Sequence, residues 1–157
     1  MPLYFAYGSN LLPRQMAERC PGARLFCTAE LPEFAFAVTP RGGANIVTKP
    51  DGRVLGALWQ CTAAHLSTLD RFEGVRTGNY RRLLVRVVDS HGRIYPAITY
   101  ISRRRARRPA RVNYMLTAVL PGAIAQGLPA EYIAELSTFL PRVAVGEKRC
   151  RYRGRRS

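Results

Sequence analysis

The 157-residue sequence predicts a single α+β domain built around a largely antiparallel or mixed, barrel-like sheet with flanking helices. Three observations point there. Short apolar or alternating runs bounded by proline and glycine dominate the first hundred residues, one helical pattern interrupts them, and further helical patterns come late. With 47% hydrophobic residues the chain can bury a sizeable core. No repeat or linker divides it, so the reading is one domain over residues 1–141 followed by a basic tail over 142–157.

The first strand is expected at residues 3–7, in "YFAYGSNLL". "LLPRQMAERCPG" then reads as a turn and a short helix stopped at Pro21-Gly22. A strand stretch follows in "ARLFCTAELPEFAFAVTP", interrupted at Pro32, closed by Pro40 and alternating at Phe34, Phe36 and Val38. "RGGANIVTK" and "RVLGALWQC" are expected as two strands joined by a hairpin turn, because Asp51-Gly52 supplies the positive φ of a tight connection. "TAAHLSTLDRFEG" reads as a helix with Thr62 as N-cap, Leu66, Leu69 and Phe72 on one face and Gly74 as the stop. A long β-hairpin turning at His91-Gly92 comes next, with Leu84, Val85, Val87 and Val88 before the turn and Ile94, Ile98 and Tyr100 after it. In the late helical stretch Pro121 should kink or divide the helix, and Gly127-Leu128-Pro129 should end one helix and begin another.

The formal charge of +15 reflects 25 basic residues, 23 of them arginine, against 10 acidic ones. Two segments, "RRRARRPAR" (Arg103 to Arg111) and "EKRCRYRGRRS" (Glu147 to Ser157), hold twelve of the basic residues. They read either as a solvated loop and tail or as a surface for nucleic acid or another polyanion. No window reaches the roughly 18 apolar residues of a membrane helix, and the first residues lack the pattern of a secretory signal, so a cytoplasmic protein is expected. Cys20, Cys27, Cys61 and Cys150 form no CxxC pair, and with His65 and His91 they make no recognisable metal spacing. They read as reduced, partly buried thiols.

Two places could carry chemistry. Gly8-Ser9-Asn10 follows a strand directly, so backbone N–H groups there can approach a carboxylate or a developing oxyanion closely; the plainer reading is a turn that caps a helix. Ser9 lacks a nucleophile elbow and a histidine partner. The other place is Glu73 in "LDRFEGVRTGNYRR". At a helix C-terminus the macrodipole disfavours its negative charge and raises its pKa toward that of a usable proton acceptor, against the plainer reading of a solvated last-turn glutamate. Gly74 and Gly78 leave room beside it.

Four blocks in one order, "YFAYGSNLL", "FCTAELPEF", "LDRFEGVRTGNY" and "GAIAQGLPAEY", resemble the γ-glutamylcyclotransferase family, over residues 3 to about 140. The resemblance implies a mixed β-barrel with flanking helices in which the loop after the first strand and a glutamate face one cavity. It implies that Tyr4, Phe5, Ala6, Tyr7, Gly8, Ser9 and Asn10 supply the substrate-binding wall, with the main chain of Tyr7, Gly8 and Ser9 nearest the γ-glutamyl group. Glu73 matches the family's acid/base glutamate and Tyr80 an aromatic that helps close the pocket. Tyr114 is the nearest match to a later family tyrosine. It lies one residue farther from Gly122 than the family spacing, with Pro121 marking a helix irregularity able to absorb the extra residue.

The implied reaction is intramolecular. The α-amino group of a γ-glutamyl unit attacks its own γ-carbonyl, closes 5-oxoproline and expels the attached amine, with no cofactor. The partner is then a small γ-glutamyl compound, and the protein a monomer or homodimer with no membrane association. The alternative is a polyanion-binding protein on the same fold that uses the arginine-rich loop and tail.

Overall fold

The computed structural model describes residues 1–142. The segment 143–157, which holds most of the expected basic tail, lies outside the described residues. Five strands close a barrel in the order β1-β3-β2-β4-β5: β1 Leu3–Ala6, β2 Arg24–Val38, β3 Ala44–Gln60, β4 Arg81–Val88 and β5 Ile94–Ile101. Every pairing is antiparallel except that of β1 with β5, which is parallel at Tyr4↔Ile98 and closes the barrel, so the sheet is mixed and mostly antiparallel as expected. Closure removes the exposed edges that an open sheet of these strands would present. The interior is filled by Phe5, Ile46, Val54, Leu58 and Val87, with Leu11, Met16 and Leu69 beneath the helices.

The hairpin expected at Asp51-Gly52 does not form. Residues 44–60 are one strand, and both halves pair with β2: Val38↔Ala44 through Phe34↔Thr48 on one side, Pro32↔Arg53 through Arg24↔Gln60 on the other. Between them β3 carries extra residues opposite Glu33, which makes a bulge. The positive φ was correctly placed at Asp51 (59°), but it serves that bulge, where Asp51 N–H donates to Glu33 Oε2 at 3.2 Å. The true connection of β2 to β3 is the turn at Thr39–Gly43, where Gly42 N–H donates to the Thr39 carbonyl and Thr39 N–H to that of Gly43. The hairpin of β4 and β5 forms as expected, its turn held by Asp89 Oδ1, which accepts from the N–H groups of His91 and Arg93.

Five helical segments flank the barrel: α1 Pro13–Arg19, α2 Ala63–Phe72, α3 Val112–Tyr114, α4 Leu120–Ala125 and α5 Ala130–Ser137. Thr62 caps α2 as expected, accepting from His65 N–H while Thr62 N–H donates to His65 Nδ1. Gly74, at φ 64°, ends it. Leu66 and Leu69 are buried, but Phe72 is 57% exposed and lies under the Arg19 guanidinium. Between α3 and α4 the backbone passes through a π-helical stretch, Met115–Val119, which ends two residues before Pro121. A π turn accommodates one residue more than an α turn, so the irregularity expected near Pro121 is present. Beyond it the helix presses onto the loop after β1: a Cβ on Gly122 would stand 2.6 Å from Leu12 N, and Gln126 Nε2 donates to the Leu11 carbonyl at 2.9 Å.

Candidate functional site

One cavity, of about 280 Å³, opens at the end of the barrel where β1 leaves the sheet. Four chain segments that are far apart in sequence meet there: the β1 loop, the Thr39–Gly43 turn, the end of α2 with Tyr80, and the start of the late helix. Tyr4, Tyr7, Gly8, Ser9, Asn10, Glu73, Tyr80 and Tyr114 all line it. Phe5 and Ala6 do not. Strand alternation turns Phe5 into the barrel core, fully buried against the Gly56 backbone, and Ala6 is equally enclosed.

Glu73 caps the C-terminus of α2, where its N–H donates to the Leu69 carbonyl at 2.9 Å. Burial pushes its carboxyl up from 4.5 to about 7, against the opposing charge of Arg19. Desolvation is thus the chief cause of the shift, where the helix position had suggested the dipole. The end of α2 is anchored one turn earlier: Asp70 accepts from Arg82 Nε (2.8 Å) and Nη2 (2.7 Å) and from Tyr100 Oη (2.7 Å). Burial works against the Asp70 charge, but these donors and the Arg82 charge hold its carboxyl below the usual range. Tyr100 itself lines the cavity and meets Tyr4 edge-to-face at 5.8 Å.

The other wall is a hydrogen-bonded frame. Asn10 is buried, and its Nδ2 donates to Tyr4 Oη (3.0 Å) while its Oδ1 accepts from Gln15 Nε2 (3.0 Å) and Arg19 Nη1 (3.1 Å). Gln15 Nε2 also donates to Ser9 Oγ at 2.6 Å, so the serine hydroxyl is engaged in positioning its loop. Burial raises the pKa of Tyr4 and Tyr7 well above that of a free phenol, so both are neutral donors or acceptors at any ordinary pH. Tyr7 Oη donates to the Tyr100 carbonyl, and Tyr80 Oη to that of Ala44 at 2.6 Å.

The π stretch carries Tyr114 to the centre of this frame. Its Oη accepts from Ser9 N–H at 3.3 Å, and a Cβ on Gly8 would stand only 2.9 Å from it and 3.0 Å from Ala44 Cβ. Glycine at position 8 is therefore required by close approach. Tyr114→Phe is expected to lower kcat/KM by about 3–10-fold, the worth of one neutral hydrogen bond, through a looser Gly8 loop. Steady-state rates at wild-type level in a folded variant would remove Tyr114 from the site.

Sequence reasoning missed Arg19, Arg41 and Arg111, which also line the cavity. Arg19 sits over the Phe72 ring (4.3 Å) and Arg111 over the Tyr114 ring (5.1 Å). Their composition signal was diluted among 23 arginines. Of the arginine-rich stretch 103–111, only Arg111 reaches the cavity; Arg105, Arg107 and Arg108 border a separate depression beside Phe36 and Phe139. Cys20, Cys27 and Cys61 carry free thiols, two of them buried. Among the described residues no group of three His, Cys, Asp or Glu side chains could hold a metal ion, and no helix is long and apolar enough to cross a membrane.

Comparison with known proteins bears on the fold and the family. A family model described as the AIG2-like family matches residues 53–136. The chain is 33% identical over 155 residues to "Gamma-glutamylcyclotransferase" of Homo sapiens, an alignment that covers 92% of this chain and 82% of that protein. It is 33% identical over 149 residues to the Bos taurus protein of the same name, covering 88% of this chain and 79% of that one. A solved structure titled "Gamma-glutamyl cyclotransferase" superposes with a TM-score of 0.84 at 31% identity, over 93% of this chain and 92% of the other. With a shared barrel, close to full-length coverage and a third of the residues identical, the chain belongs to the γ-glutamylcyclotransferase family and is an enzyme of that type.

Proposed function

We propose that the enzyme cyclises the γ-glutamyl group of a small conjugate to 5-oxoproline, with Glu73 as general acid/base. The observation that carries this reading is a half-buried carboxylate with a pKa of about 7 that lines one small cavity together with the Gly8 loop. The substrate brings both nucleophile and electrophile. Its α-amino group enters as an ammonium, and Glu73 is the group that removes the proton before attack. Once deprotonated, the amine attacks the γ-carbonyl, the new C–N bond closes the ring, and the bond to the leaving nitrogen breaks. Glu73 returns its proton to that nitrogen.

The cavity's charges support an orientation. The α-carboxylate and the α-amino group share one carbon, so with the amine at Glu73 the carboxylate falls to Arg19, whose charge already acts on Glu73. The Gly8 loop is then left for the oxyanion that forms on the γ-carbonyl oxygen. Tyr4, Tyr7, Asn10, Tyr80 and Tyr114 hold the walls in this reading, because each lines the cavity and all but Asn10 are phenols kept neutral by burial.

The test is release of 5-oxoproline from a γ-glutamyl dipeptide as a function of pH. Glu73 must be ionised to accept the proton, so kcat/KM should fall tenfold per pH unit below about 7, where the carboxylate takes up its proton. Absence of 5-oxoproline, or an acid limb near the ordinary glutamate value of 4.5, would overturn the assignment.

A further inference from the structure

The cavity is more positive than cyclisation of the γ-glutamyl unit requires. Among the described residues Glu73 is its one lining carboxylate, against three guanidiniums: Arg19, Arg41 and Arg111. The one ion pair between described side chains is Arg82–Asp70, so none of these three has a carboxylate partner there. They stand on two sides. Arg19, on α1, is the cation that acts on Glu73. Arg41 and Arg111 form the other side, exposed at the rim, where Arg111 N–H donates to the Gly42 carbonyl at 2.9 Å and its side chain packs on Gly42 and spans from Gly43 to the Tyr114 ring. The turn and the start of the late helix thus form a single wall, and stacking on Tyr114 holds the Arg111 guanidinium in place.

Resting on the cyclisation reading, the geometry divides the substrate. The γ-glutamyl unit must curl on itself for its amine to reach its own carbonyl, which confines it to Glu73, Arg19 and the Gly8 loop. The expelled amine is the part that extends toward the rim. We infer that Arg41 and Arg111 form an acceptor-side anion subsite, selecting γ-glutamyl conjugates whose leaving amine carries negative charge, and dianionic amines above all. A cationic polyamine conjugate would place its free ammonium against these two guanidiniums.

The experiment measures kcat/KM for four conjugates: γ-glutamyl-glutamate, γ-glutamyl-alanine, γ-glutamyl-ethylamide and γ-glutamyl-putrescine. The expected order is dianionic, monoanionic, neutral, cationic, with roughly two- to fivefold per step for exposed charge pairs and a spread that shrinks at high salt. In Arg41→Gln combined with Arg111→Gln the spread should collapse to within about threefold. Arg111→Lys, which keeps the charge, should retain most of it, and Arg41→Gln alone, at an exposed position, guards against a folding defect in the double variant. Equal rates across the series, or a spread that survives in the double variant, would overturn the subsite and leave the cyclisation reading intact. If none of the four conjugates releases 5-oxoproline, the cyclisation reading fails and the subsite with it.

Discussion

Glu73→Gln should lower kcat by about 10²–10⁴-fold, the usual worth of a general acid/base, while binding of substrate or of 5-oxoproline persists. Glutamine keeps the shape and polarity of the side chain but cannot take a proton. The same substitution should also change the pH dependence of stability. The folded chain holds the Glu73 proton up to about pH 7, whereas the unfolded chain releases it near the ordinary 4.5. Between those values the folded state binds more protons, so this contribution to stability is complete below pH 4.5 and is lost as pH rises through 7. The glutamine variant carries no such penalty. Its melting temperature relative to wild type should therefore be higher at pH 8 than at pH 5. Turnover at the wild-type rate would end the catalytic assignment, and a melting difference independent of pH would end the claim that the carboxyl is desolvated.

Phe5→Ala should act through the fold. The resemblance grouped Phe5 with the binding wall, but its ring is fully buried in the barrel and its carbonyl accepts from Thr99 Oγ1 at 2.7 Å. Truncating it leaves a cavity in a closed barrel that has little freedom to collapse, at a cost of about 3–5 kcal/mol. For a domain of this size that is a fall in melting temperature of roughly 10–20 °C. Phe5→Leu retains most of the apolar volume and should lose far less stability, with KM near that of wild type. A raised KM in a stably folded leucine variant would return Phe5 to the binding wall. Tyr4, its neighbour on the opposite face of β1, should show the reverse pattern under Tyr4→Phe: a folded protein with altered kinetics.

Why one strand carries both kinds of residue could be read from the period of two, but which face looks into the cavity could not. On β1 Tyr4 faces the site and Phe5 the barrel interior, whereas Tyr7 lies beyond the strand's end at Ala6 and reaches the cavity from the loop. The parallel pairing with β5 joins residues more than ninety positions apart, and no local pattern announces it. The error at Asp51-Gly52 has the same origin. A tight turn and a wide bulge both use a positive φ, and only the partner strand decides between them; β2, long enough to pair with both halves of β3, makes it a bulge. Tyr114 is the opposite case. The single extra residue before Gly122 was visible in the spacing, and the π stretch at Met115–Val119 absorbs it because the helix must place Gly122 on Leu11–Leu12 and the Tyr114 hydroxyl on Ser9 together.

Local chemistry was legible wherever a residue's role depends on its immediate neighbours. Thr62 and Gly74 bound α2, the Asp89–Gly92 turn makes a hairpin, and Glu73 ends a helix, because caps, turns and helix ends involve groups only a few positions apart. The charge environment of Glu73 was not legible. Its pKa depends on burial among segments from four parts of the chain and on Arg19, over fifty residues away, and a single arginine carries no distinguishing mark among 23. Local sequence thus placed the candidate base at the end of its helix; barrel closure decided what surrounds it, because desolvation and convergent charge are properties of the packed whole.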